Sequence, residues 1–174
     1  LLGFRGRPNV TTVWTRELGA ETRIVRTNRF GFHDVDREPK KKAGVLRIAF
    51  VGDSFVEAYQ VGIDENFCAL TEKALNAARR PGDPEIETLN LGLHGYGLGS
   101  YYLYVKHRLM DWRPDALALT VFLGNDLFDN FYGLASPAVP RFELRDGKME
   151  YTPVAARNWK YWARDNLLAR SSLG

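Results

Sequence analysis

Cysteine is nearly absent. Cys68 is the only one in 174 residues, which excludes an internal disulfide and any cysteine-built zinc site. It falls in an apolar helical pattern with Phe67, Leu70 and Leu75 and reads as a small hydrophobe rather than a reactive thiol. Histidine is scarce too: His33, His94 and His107 stand at spacings that form no ligand pattern, so neither a metal nor another cofactor is expected. No apolar run approaches the roughly 18 residues that span a bilayer, so no membrane-spanning segment is expected in this chain. Charge of one sign is also missing, since 24 Lys and Arg against 21 Asp and Glu leave a formal charge of +3. The one basic run, Arg37 to Lys42 (REPKKK), has no interleaved aromatics and reads as a solvated linker, so nucleic acid is not an expected partner. The nucleophile elbow G-x-S-x-G is absent, which excludes the α/β-hydrolase pattern. The P-loop signature and a strand-linked G-x-G-x-x-G are absent as well, which disfavours nucleotide binding. Asp53 as a phospho-acceptor would need a second acidic residue close by to hold magnesium, and none is evident.

What is present is the composition of one soluble globular domain, with 45% hydrophobic and 26% charged residues. Residues 10 to 28 read as a hairpin, because VTTVWT and TRIVRT are β-prone runs joined by a loop holding Glu17-Leu18-Gly19-Ala20. Asn28 to Asp34 (NRFGFHD) is turn-rich, and residues 1–44 read as an accessory segment with hairpin and linker. From Val45 the pattern changes. Val45 to Val51 is a buried strand, Asp64 to Arg80 is helical through Phe67, Leu70, Ala74 and Leu75, and Glu85 to Leu91 is a second strand. Ser100 to Trp112 is helical, and Asp115 to Leu123 is a third strand after Pro114. This alternation predicts an α/β fold with a parallel sheet and helices on both faces, where ligands collect beyond the carboxyl ends of strands. Arg141 to Tyr151 reads as a hairpin around Asp146-Gly147, and Ala155 to Ser171 as an amphipathic helix with Trp159, Trp162, Leu167 and Leu168. No further strand and helix pair follows, so a domain over 45–174 is expected to be incomplete at its C-terminal end, with one edge and face poorly covered. A swapped or homo-oligomeric partner packing on the aromatic tail of Trp159, Tyr161 and Trp162 is the alternative to ordinary core packing. The chain opens on Leu1 rather than methionine, which leaves any upstream signal or anchor unread.

Three polar loops fall at strand ends, and they carry the candidate chemistry. Gly52-Asp53-Ser54 sets a serine just past the first strand, ahead of a helix, where a tight turn exposes it for nucleophilic attack and backbone N–H groups face a developing oxyanion. The competing reading is that Asp53 or Ser54 merely caps the turn. In Gly92 to Gly99, Gly95 offers an N–H unhindered by a Cβ, although its glycines serve turn geometry equally well. In Gly124-Asn125-Asp126, the Asn125 amide can donate to the same oxyanion, while Asp126, like Asp129-Asn130, more ordinarily caps a helix or turn.

These three blocks, Gly52-Asp53-Ser54, Asn90-Leu-Gly-Leu-His-Gly95 and Leu123-Gly124-Asn125-Asp126, occur in order and at strand ends over roughly residues 45–130. In that respect the chain resembles the SGNH (GDSL-like) hydrolase superfamily. The resemblance implies a three-layer, flavodoxin-like α/β/α fold and hydrolysis or transfer of acyl groups from esters, often on lipids or acetylated sugars. It implies Ser54 as nucleophile and an oxyanion hole from the Ser54 and Gly95 N–H groups and the Asn125 amide. Residues 1–44, particularly LGFRGRPN and TNRFGFHD, resemble the accessory segment of some exported or membrane-tethered bacterial members. Leu123 stands where the family's G-x-N-D has glycine. The family's base, the histidine of a D-x-x-H near the domain end, has no counterpart here, because no D-x-x-H occurs and no histidine follows His107. A base encoded past Gly174 is the leading expectation. The alternatives are His94 as substitute base or substrate contact, and a catalytically silent module that binds or scaffolds.

Overall fold

The computed structural model describes residues 6–15, 22–126 and 140–152. The loop at Glu17 to Ala20, Asp129-Asn130 and the helix expected over 155–171 with its tryptophans lie outside the described residues. The β-branched runs form the first hairpin as expected: β1 (Thr11–Thr15) pairs antiparallel with β2 (Thr22–Arg26), Thr11 opposite Arg26.

Three parallel strands make the central sheet, in the order β4-β3-β5. In the middle lies β3 (Val45–Gly52), flanked by β4 (Glu85–Gly92) and β5 (Ala116–Leu119). The register runs Val45 to Glu85 through Gly52 to Gly92 on one side, and Ile48 to Ala116 through Val51 to Leu119 on the other. Side chains alternate across a strand, so two different cores form. Ala49, Val51, Leu89 and Leu91 join Tyr101, Tyr104, Leu109 and Trp112 in one buried cluster under α3 (Leu98–His107). On the opposite face Phe50 meets Phe67 edge to face at 5.3 Å, and the Thr88 hydroxyl donates to the Cys68 carbonyl at 3.0 Å under α2 (Phe67–Ala77). Cys68 is buried, and burial pushes its thiol well up from the ordinary value, in keeping with a packing role.

Several boundaries differ from the periodicity for local reasons. The second helix begins at Phe67 rather than Asp64, because Asn66 caps it and accepts from the Ala69 N–H at 2.9 Å. The third breaks at Arg108 into a 3₁₀ turn, Leu109–Trp112, closed by Arg113 at φ 48°. β5 stops at Leu119 because Asp126 draws the Phe122 N–H out of the strand at 2.7 Å. β5 is an edge strand among the described residues, with Leu117 and Leu119 still 43% and 48% exposed. The second hairpin, β6 (Arg141–Arg145) and β7 (Lys148–Thr152), turns on Asp146 and Gly147 at φ 49° and 73°, the left-handed pair of a tight hairpin.

The basic run is the solvated linker expected of it only at Glu38, Lys40 and Lys42, whose side chains are exposed. Arg47 is buried and takes the Glu38 and Pro39 carbonyls at 2.7 and 2.8 Å, while Arg37 pairs with Glu72 at 2.7 Å and Lys41 with Asp115. Just upstream, Phe32 enters the α3-side core and Phe30 meets Trp112 edge to face at 4.7 Å. Among the described residues no helix is long and apolar enough to cross a membrane, and no group of three or more His, Cys, Asp and Glu could hold a metal ion.

Candidate active site

The chain leaves β3 for β4 on one side and then crosses back to β5 on the other, so its winding direction reverses at β3. In open α/β sheets ligands collect at such a reversal, beyond the carboxyl ends of the strands, here those of β3 and β5. Main-chain bonds carry the pairing past the strands into the loops: Leu93 N–H donates to the Gly52 carbonyl at 3.1 Å and Thr120 N–H to the Val51 carbonyl at 2.9 Å. All three sequence blocks therefore start from neighbouring strand ends.

Gly52 is the last residue of β3, and Ser54, half-buried, is the first of α1 (Ser54–Glu57). The helix expected directly after the serine is this single turn, closed by Ala58 in the left-handed region at φ 55°. Asp53 is buried and caps it, its carboxylate accepting from the Phe55 N–H at 2.9 Å. The capping alternative thus holds for Asp53, and Ser54 is not the capping group. Close approach requires glycine on two strands here. A Cβ on Gly92 would fall on the Glu57 amide and Val56, and one on Gly52 on the Val56 side chain. The α1 turn therefore lies directly on the ends of β3 and β4.

The second block forms a turn, Leu93 to Tyr96, in which Tyr96 N–H donates to the Leu93 carbonyl at 3.3 Å and Gly95 sits exposed at φ 70°. His94, also exposed, reaches back to α1, its Nδ1 lying 3.0 Å from both carboxylate oxygens of Glu57. That hydrogen bond raises the imidazole above its ordinary value against the opposing effect of burial.

In the third block Asn125 is half-buried, and Asp126 beside it is wholly buried. Asp126 accepts from the Phe122 N–H and, at 3.1 Å, from the Tyr101 hydroxyl of α3, so it fixes the turn that bears Asn125. Phe122 lies against Phe55, ring centres 4.5 Å apart, which brings this turn beside the residue following Ser54. Two residues that matter to this architecture escaped the sequence reading. Tyr101 falls within the stretch read simply as helical, Ser100 to Trp112, where nothing in the sequence sets it apart. Glu57 sits in an otherwise apolar run, Phe55 to Ala58, and that isolated charge was the available signal. The chain matches no protein-family model, no curated protein and no solved structure.

Proposed function

We propose that this chain carries the nucleophile and oxyanion parts of an SGNH-type serine ester hydrolase, with its sheet forming the start of a flavodoxin-like α/β/α sandwich. The observation that supports this most is the convergence of Ser54, the Gly95 turn and the Asn125 turn at neighbouring carboxyl ends of parallel strands, where the winding reverses. In this reading the Ser54 hydroxyl oxygen attacks the ester carbonyl carbon while a base takes its proton. The carbonyl oxygen becomes an oxyanion held by the Ser54 and Gly95 N–H groups and the Asn125 amide. Collapse expels the alcohol and leaves an acyl group on Ser54, which water or a second hydroxyl then removes. The base required is the D-x-x-H histidine that these 174 residues do not hold. The substrate class is an ester of a lipid, a glycan or a small molecule. The test uses the full-length gene product with p-nitrophenyl acetate and a fluorophosphonate that labels activated serines. Acetate release and labelling that both vanish in Ser54→Ala support the reading. Release that persists in Ser54→Ala sinks it, and an inert native protein points to the silent binding module instead.

A further inference from the structure

We infer that Glu57 is a positioning residue that locks the Gly95 turn to the Ser54 turn through His94. Its consequence for catalysis rests on the ester-hydrolase reading above, while its geometry does not.

Glu57 ends a one-turn helix, a place where a glutamate normally lies in solvent. Here it is 2% exposed. Burying a carboxylate is costly unless hydrogen bonds replace its water, so the partners of Glu57 determine whether this turn is stable. Three side chains gather around Glu57, and of these His94 meets the carboxylate itself. His94 Nδ1, from the loop after β4, is 3.0 Å from both carboxylate oxygens. Tyr59, just past α1, lies beside the same residue, and its own ionisation is pushed up by burial and by the Glu57 charge. His33, from the N-terminal segment, meets the Glu57 carbonyl through Nδ1 at 2.9 Å. Tyr59 stands between the two imidazoles, ring centres 5.2 Å from His33 and 6.4 Å from His94. Among the described residues, Glu57 and Tyr59 are titratable groups that face His94, with His33 beyond Tyr59.

An exposed imidazole on a loop ordinarily samples several rotamers. His94 is 60% exposed at its side chain yet anchored on a carboxylate that is 3% exposed. The turn it belongs to carries a long main-chain bond, Tyr96 N–H to the Leu93 carbonyl at 3.3 Å, and the His94 anchor adds a shorter restraint on the residue before Gly95. Ser54 lies at the other end of the same helical turn as Glu57, with Ala58 N–H bonded to the Ser54 carbonyl at 2.9 Å. One carboxylate thereby couples two of the three proposed oxyanion donors, whose relative position sets how well they meet a developing charge.

The test uses the full-length protein and the variants Glu57→Gln and His94→Gln. Glu57→Gln keeps an acceptor but removes the charge. The expected result is that His94, followed by NMR of its ring protons across pH, titrates closer to its ordinary value of 6.5 in Glu57→Gln. With p-nitrophenyl acetate, kcat per folded molecule falls about 10- to 100-fold in each variant while KM is unchanged. A purely structural contact would shift the His94 titration and lower the melting temperature but leave kcat per folded molecule unchanged. His94 titrating as in the native protein, or full kcat in His94→Gln, overturns the inference. His94→Gln alters an exposed side chain and keeps the test decisive if Glu57→Gln does not fold. Full activity in both variants with none in Ser54→Ala removes this inference alone. Activity retained in Ser54→Ala removes the hydrolase reading, and the NMR comparison still tests the Glu57–His94 link.

Discussion

Across the β3–β4 register, Arg47 and Glu87 form a nearly buried ion pair, the guanidinium Nη2 lying 2.6 Å from Glu87 Oε1. The pair sits at the amino end of the sheet, opposite the candidate site. Its guanidinium also bonds the Glu38, Pro39 and Trp112 carbonyls, so it ties the N-terminal segment and the end of the α3 layer to the central strand.

Removing the acid from this arrangement leaves a cation with little access to water. Breaking a buried pair from one side costs about 3–5 kcal/mol, far more than breaking a surface pair. Glu87→Ala is therefore expected to lower unfolding stability by about 3 kcal/mol in urea titrations. A loss below about 1 kcal/mol would mean that the pair behaves as a surface one.

The parallel sheet and both hairpins were legible because their signals are local. Buried β-branched runs marked β3 and β4, and Asp146-Gly147 marked the second hairpin. The Arg47 tie was not legible, since REPKKK reads as solvated until a buried guanidinium in a distant strand needs its carbonyls. The same holds at the candidate site. Glycine and serine at strand ends are visible in one dimension, whereas the contact between Glu57 and His94 spans 37 positions. The Asp126–Tyr101 bond likewise links a turn to a helix face that periodicity treats as plain core.

Asp34 gives stability a definite pH dependence. Burial pushes its carboxyl up to about 6 from 3.8, against the opposing effect of N–H bonds from Asn90 and Val35 and the Arg37 charge. The folded state thus holds this proton more tightly than the unfolded chain. Its contribution is complete below about 3.8 and is lost as pH rises through about 6. At neutral pH the cost is about 3 kcal/mol at most. Asp34→Asn removes the buried charge but keeps an oxygen for only one of the two N–H groups, which bond separate carboxylate oxygens, so its melting temperature relative to native should rise between pH 4 and pH 7. Parallel melting curves across this range would contradict the assignment.

Gly92 tests how closely α1 lies on the sheet. A methyl group there meets the Glu57 amide and Val56 backbone, which cannot rotate away as a side chain can. Gly92→Ala is expected to cost about 1–3 kcal/mol and to slow fluorophosphonate labelling of Ser54 in the full-length protein. Native labelling with native stability would show that the turn has room to shift.

Asn125 is the sharpest test of the oxyanion arrangement, because it can be perturbed from two directions. In the proposed hydrolase, Asn125→Ala removes a donor outright and should lower kcat about 10²- to 10³-fold with little change in KM. Tyr101→Phe leaves Asn125 in place and removes the hydroxyl that bonds Asp126 beneath it and also reaches the Tyr96 carbonyl at 3.2 Å. Its stability cost should be about 1 kcal/mol. If Asp126 holds the turn for Asn125, kcat should fall in Tyr101→Phe but by less than in Asn125→Ala. The double variant should then be no slower than Asn125→Ala alone, because a displaced turn no longer matters once its donor is gone. Additive losses in that cycle would mean that Tyr101 acts on the reaction by some route other than Asn125.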